Sequence, residues 1–203
     1  MTESRRRRPR PITRPKFHHT TLATRKLDEM VSFYENVAGL EPVYHGPGAA
    51  WLTNDEANHR IALLALPDLK EPDDKGHTIG LHHTAFEYRS FSQWIDNYER
   101  LAAEGIHPFL NLDHGMTMSM YYQDPEGNGV EIQVDVFGDW AKSKEFMWAS
   151  AEFDANPIGV HFDPAQVSAA RRSGLTFEEI HGRATAGEYL PDVIPEVYLP
   201  EFW

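Results

Sequence analysis

The sequence predicts an α+β protein made of two βαβββ modules that together form one open barrel around a metal, followed by a C-terminal extension. Three observations predict it. Offset by 64 residues, the chain repeats itself, aligning HHTTLATRKLDEMVSFYENVAGLEP from His18 with HHTAFEYRSFSQWIDNYERLAAEGIHP from His82. Each copy passes from a β-rich run to a stretch with helical spacing of apolar residues. Each then changes to short strand-like runs separated by turn residues.

The elements follow in order. Residues 1–16 hold seven basic residues against Glu3, a +6 arm expected to be disordered. The first module spans 17–66. Its helix is marked by Leu27, Met30, Val31 and Tyr34 and closed by Gly39; strands are expected at Pro42–His45, Ala50–Thr53 and Arg60–Leu66. Residues 67–80 are polar and rich in Pro and Gly, as a linker is. The second module spans 81–137. It has a helix on Phe91, Trp94, Ile95, Tyr98 and Leu101, closed by Gly105, and strands at His107–Leu110, Met118–Gln123 and Val130–Val136. Residues 138–203 fit neither copy. They offer helices near Asp139–Ser150 and Pro164–Ser173 and an aromatic tail (Tyr189, Tyr198, Phe202, Trp203), expected to pack on the body or on a partner subunit.

Composition excludes several classes. The 203 residues are 41% hydrophobic and 25% charged, enough apolar material for one sizeable core. The longest apolar run, Ile61 to Leu66, has six residues, whereas a membrane helix needs about 20. No membrane association is expected, no export signal is read, and the cytoplasm is the expected location. Without cysteine, thiolate metal sites and disulfides are impossible, so any metal rests on His and carboxylate. The formal charge is −12, so residues 17–203 carry −18 and disfavour nucleic acid as a partner.

Strand alternation places His19, Thr21 and Ala23 on one face and His83, Ala85 and Glu87 on the matching face of the repeat, with His18 and His82 pointing away. Two strands related by a pseudo-dyad can bring one imidazole each to a common point. In SMYYQDPEGNGVEIQV, Glu131 is the only acid within Val130–Val134 and needs a partner, either a metal or an opposite charge. If DPEGN is a five-residue loop, Tyr121 lies across from Glu131; a shift of one residue substitutes Tyr122. Two His and one carboxylate form a facial triad that leaves positions for substrate and O2, as non-haem Fe(II) chemistry requires.

The paired modules, H-T-T-L and H-T-A-F at the two first strands, and Y-Y-x-D-P-x-G-N-x-V-E resemble the vicinal oxygen chelate superfamily. More narrowly, the chain resembles the type I extradiol ring-cleaving dioxygenases, in particular the single-domain biphenyl-2,3-diol 1,2-dioxygenase-like group. NPIGVHFDP in the tail is also similar to that group. The resemblance implies Fe(II) held by His19, His83 and Glu131. It further implies His59 as the proton-handling base, with His114 and Tyr121 hydrogen-bonding reacting oxygens. Aligning RIALLAL with GVEIQV puts Ala62 where a fourth ligand stands in isomerases of this superfamily, which favours an open metal.

The implied activity is cleavage of a catechol-type ring with insertion of both atoms of O2. A small aromatic diol and O2 are the expected partners, and a homo-oligomer the expected assembly. A glyoxalase-type metal-dependent isomerase or lyase, or a non-catalytic protein that binds an aromatic antibiotic, are the alternatives. His45, His77, His107, His161 and His181 are read as structural or surface residues, with His161 or Phe162 placed to approach a pocket if the tail folds back.

Overall fold

Both modules form as the repeat predicts, because in each the apolar side chains of one helix face seal one side of a small sheet. The computed structural model describes residues 13–196 and 198. In the first module β1 (Thr20–Thr24) leads into α1 (Leu27–Ala38), then β2 (Glu41–Gly46), β3 (Ala49–Thr53) and β4 (Ile61–Ala65). Met30, Val31, Tyr34 and Val37 recur at helical spacing and are buried. Gly39 ends the helix at φ 63°, a left-handed turn that returns the Leu40 N–H to the Tyr34 carbonyl at 3.2 Å. The sheet order is β1-β4-β3-β2, with β1 parallel to β4 and the other pairs antiparallel.

The second module repeats this with β5 (His83–Tyr88), α2 (Phe91–Ala103), β6 (Leu110–Asp113), β7 (Thr117–Gln123) and β8 (Gly129–Asp135). Ser90 caps α2 by accepting the Gln93 N–H, and the buried Trp94 donates its indole N–H to the Ile132 carbonyl at 2.9 Å, fastening helix to sheet. One expected strand is displaced. His107–Leu110 proves to be the approach to β6, which runs from Leu110 to Asp113. Pro108 has no N–H to give a ladder, and pairing begins at Leu110 opposite Tyr121.

Beyond the modules lie α3 (Trp140–Ala149), α4 (Ala151–Ala155), β9 (Val160–His161), α5 (Pro164–Arg172) and α6 (Phe177–Thr185). The α3 and α5 helices match the expected positions; α4, β9 and α6 are additional. The last is announced by T-F-E-E, since Thr176 and Glu179 form a reciprocal capping box. β9 adds a fifth strand to the second sheet, giving β5-β8-β7-β6-β9. A Cβ on Gly159, at φ 90°, would stand 1.9 Å from the Asp113 carbonyl oxygen, so only glycine lets this strand approach. Phe162 is buried against Trp94, and neither it nor His161 lines the cavity at His83 and Glu131; Phe202 and Trp203 lie outside the described residues, as does most of the basic arm.

The modules meet through α1 and α2 and through the DPEGN turn. Asn97 Nδ2 donates to the Val37 carbonyl at 3.3 Å, and Arg100 to that of Asn36. The buried Asp124 accepts from the Glu126 and Asn128 N–H groups, from Asn128 Nδ2, and from Tyr34 Oη at 3.2 Å. Thr24 Oγ1 and the Arg25 N–H donate to Glu126 Oε1 at 2.9 and 2.6 Å. No strand pair joins the two sheets among the described residues; β1 and β5 are each an outer strand. Nor is any helix there long and apolar enough to cross a membrane.

Asp124→Ala strands several donors at once and should cost about 2–4 kcal/mol in urea unfolding, whereas Tyr34→Phe, which removes one donor, should cost about 1 kcal/mol.

Candidate metal centre

The site begins with strand register. β5 and β8 pair in parallel so that His83 faces Gly129 and Ala85 faces Glu131, while β7 runs antiparallel with Tyr121 opposite Glu131. The DPEGN loop has the five residues that this pairing needs. A Cβ on Gly129 would approach the His82 carbonyl oxygen to 2.8 Å and His83 Cβ to 3.0 Å, so this glycine lets β8 close against His83.

Three side chains then converge. His83 Nε2 lies 3.0 Å from Glu131 Oε2, Tyr121 Oη donates to Glu131 Oε1 at 3.1 Å, and His114 Nε2 sits 2.8 Å from Tyr121 Oη. While the phenol donates to the carboxylate, its oxygen keeps lone pairs that can accept from His114 Nε2. Glu131 is 5% exposed. Burial alone would raise its pKa, but hydrogen bonds from His83 and Ser119 and the nearby imidazoles hold it below the ordinary carboxylate range. Burial lowers the pKa of His114, against the pull of Glu131 and the Ile158 carbonyl. Burial and the Glu131 charge raise that of Tyr121, so the phenol remains a donor.

His83 and Glu131 suit adjacent ligand positions, since atoms about 2.1 Å from an ion and at right angles to each other are about 3 Å apart. His19 makes no hydrogen bond or ring contact with them among the described residues. It stands beside His18 and His59, with Nδ1 of His18 and His19 3.0 Å apart and the His19 and His59 ring centres 4.3 Å apart. Among the described residues these three form the only group of three metal-ligating side chains whose donor atoms all lie within 4.8 Å. Burial, and then the neighbouring His19 and His18, lower the pKa of His59. The six predicted residues thus divide into two sets: His19 with His59, and His83 with His114, Tyr121 and Glu131. Among the described residues no hydrogen bond, ion pair or ring contact links the sets.

The repeat explains why only one module carries an acid. Thr21 pairs with Ala62 as Ala85 pairs with Glu131, so Ala62 occupies the place equivalent to Glu131 and has nothing to coordinate with. Beside the second set lies a cavity of about 440 Å³, lined by His83, His114, Tyr121 and Glu131 and flanked by Trp140 and Met147 of α3. That is within the range of small-molecule sites. Glu87 accepts from Trp140 Nε1 at 2.8 Å and from Gln133 Nε2 at 3.0 Å, tying α3 to the sheet at this rim.

Sequence reasoning missed two supports. His18 and His82, expected to point away, instead meet their neighbours: His82 Nδ1 is 2.8 Å from His83 Nδ1, as His18 is to His19. Both precede or begin the ladder, where the pleat does not yet dictate side-chain direction; the repeated His-His pair was the available signal. Asp113, adjoining His114, is buried and accepts from the Gly115 N–H at 2.9 Å, with His181 Nδ1 of α6 at 2.8 Å from its other oxygen. His45 and His77 pair with Asp28 and Asp74, in keeping with structural roles.

The model of the Glyoxalase/Bleomycin resistance protein/Dioxygenase superfamily matches residues 16–132. Among curated proteins, Biphenyl-2,3-diol 1,2-dioxygenase 2 of Rhodococcus globerulus is 39% identical over 88% of this chain and 93% of its own. Biphenyl-2,3-diol 1,2-dioxygenase 3 of the same organism is 37% identical over 85% and 90%. Among solved structures, a lactoylglutathione lyase from Agrobacterium tumefaciens aligns with a TM-score of 0.46 at 23% identity, over 59% of this chain and 92% of that one. The chain therefore belongs to the Glyoxalase/Bleomycin resistance protein/Dioxygenase superfamily and, within it, to the extradiol dioxygenases represented by the two Rhodococcus enzymes.

Proposed function

We propose that this protein is a cytoplasmic Fe(II)-dependent extradiol dioxygenase that opens the ring of a catechol-type substrate beside the diol and inserts both atoms of O2. One observation carries the reading: His83 Nε2 and Glu131 Oε2 stand 3.0 Å apart in a cavity, while the matching place in the first module is Ala62. His83, Glu131 and His19 are the ligands. Fe(II) supplies the redox chemistry through which ground-state O2 reacts with a closed-shell diol.

The remaining steps belong to the side chains. His59, its pKa lowered by burial, is neutral near pH 7 and takes a proton from a diol hydroxyl, returning it as the ring opens. Glu131 stays ionised and so remains a ligand. With a cation on Glu131, the Tyr121 hydroxyl would be released from the carboxylate and, with His114 beside it, could turn to negative charge developing on substrate oxygens. Trp140 and Met147 present apolar surface to an aromatic ring and displace water from it. A bicyclic catechol such as biphenyl-2,3-diol, the compound in the names of both Rhodococcus relatives, suits this wall.

Protein loaded anaerobically with Fe(II), given biphenyl-2,3-diol and then air, should consume one O2 per ring and develop the visible absorbance of a ring-opened product. Colourless conversion without O2 would identify an isomerase or lyase. Tight binding of unaltered aromatic without turnover would identify a binding protein.

His83→Ala should lose both iron and turnover. His59→Ala and His114→Phe should keep iron and lose rate by about 10²-fold or more. Metal analysis beside O2 uptake separates these outcomes, and equal iron loss in all three variants overturns the assignment of roles.

A further inference from the structure

We infer that His18, His19 and His59 form a second metal site, suited to a borderline divalent cation such as zinc and distinct in its ligand set from the iron centre proposed above. The two sets share one side chain, His19, and the effect of zinc on iron described below rests on the ligand reading given there.

The backbone builds this site. The Thr20 N–H, at the start of β1, donates to the Arg60 carbonyl at 3.0 Å, and parallel pairing sets Thr20 beside Ile61. The residues just before each strand are thereby drawn together, His18 and His19 from one and His59 from the other. Arg60 holds the incoming chain: its Nη1 donates to the His18 carbonyl at 2.9 Å, while Asp55 Oδ2 accepts from its Nε and Nη2 at 3.0 and 2.7 Å. Because both residues precede the pleat, His18 and His19 can turn their rings toward each other, and their Nδ1 atoms stand 3.0 Å apart. The His59 ring centre lies 5.3 Å from that of His18 and 4.3 Å from that of His19.

Such spacing suits a shared ion. Nitrogens about 2.0–2.1 Å from a tetrahedral zinc are about 3.3 Å apart. One donor atom from each of the three rings lies within 4.8 Å of the other two, so small side-chain rotations close the set. His18 and His19 are exposed and His59 is half-buried, which leaves the donors within reach of a cation from solvent.

The donor chemistry selects the ion. Among the described residues none of these imidazoles pairs with a carboxylate, whereas His45, His77, His83 and His181 each have one within 3.0 Å. A non-haem Fe(II) set includes a carboxylate; three neutral imidazoles with an open fourth position suit zinc. The second module does not repeat the site. Thr84 is set beside Val130 as Thr20 is beside Ile61, so Asn128 takes the place of His59, and its amide is committed to Asp124 Oδ2 at 2.7 Å. The duplication has thus diverged into an all-imidazole cluster in one module and a His-Glu pair in the other. A neutral imidazole carries one nitrogen lone pair, so His19 serves one ion at a time. Zinc in the trio withdraws His19 from the iron and His59 from the substrate.

The test uses the full chain without a histidine tag, as His83→Ala, which keeps the trio and gives up the iron centre. Calorimetric titration with zinc should show one ion per chain, and Co(II) in its place should give the intense visible bands of a four-coordinate ion. Adding His18→Ala should weaken zinc by at least about 100-fold and abolish those bands. His18 is exposed, so the variant should fold, which circular dichroism checks. Absence of stoichiometric zinc in His83→Ala overturns the inference, as does zinc bound equally well with and without His18. Neither readout needs iron, substrate or O2. Zinc added to the iron-loaded unsubstituted protein should release iron, and should release far less from iron-loaded His18→Ala. Zinc seated in the trio with iron content unchanged would fail the assignment of His19 to the iron and leave the zinc site standing.

Discussion

The register of β5 on β8 governs the rest of the second module's chemistry. Parallel pairing sets His83 opposite Gly129 and Ala85 opposite Glu131, so His83 and Glu131 sit diagonally on the same face of neighbouring strands. Antiparallel pairing on the other side sets Tyr121 opposite the same Glu131. Slipping either pairing by one residue would turn the carboxylate to the opposite face. The polar turn is therefore structural: Asp124, with its ring of donated hydrogen bonds, fixes the length of the β7–β8 connection and hence that register. It is fastened in turn to the first module through Tyr34.

A buried carboxylate needs compensation, and here the compensation is also the chemistry. Glu131 receives the Tyr121 hydroxyl and faces the His83 ring, which keeps it charged despite its burial. Those contacts tie up one oxygen with a proton donor and turn the other toward an imidazole nitrogen, the place where a cation would sit between them. His114 extends the chain of hydrogen bonds to the edge of the cavity, supported from behind by Asp113 and, through it, by His181 of α6. The extension that fits neither repeat thus supports the reactive loop from outside the duplicated core, which explains why an otherwise complete pair of modules carries another 66 residues.

Much of this was legible in the sequence because repetition doubles every signal. The His-His pair, the helix ending in glycine and the strand alternation each occur twice at one offset, so a coincidence would have to happen twice. Glu131 was legible for the opposite reason: it breaks the pattern, standing where its repeat has Ala62. What escaped was what local pattern does not encode. The start of β6 depends on which N–H first finds a partner beyond Pro108. The direction of the His18 and His82 rings depends on where the pleat begins. Association of the two modules depends on tertiary contacts between α1, α2 and the turn, and periodicity within each module is silent on that.

The arrangement of the two modules also has a physical rationale. Two similar modules can associate either within a chain or between chains, and the same surfaces serve both. The choice is set by what the connecting segment and its neighbouring contacts permit. Here Lys75 in the linker donates to the Glu126 carbonyl at 2.7 Å and to Asn128 Oδ1 at 2.8 Å, while Arg25 reaches both Glu71 and Glu126. Linker and turn are thereby bound to each other and to the end of β1, holding the first module by its α1 side. β1 and β5 are each an outer strand of their hydrogen-bonded sheet among the described residues, with His19 just before the first and His83 opening the second.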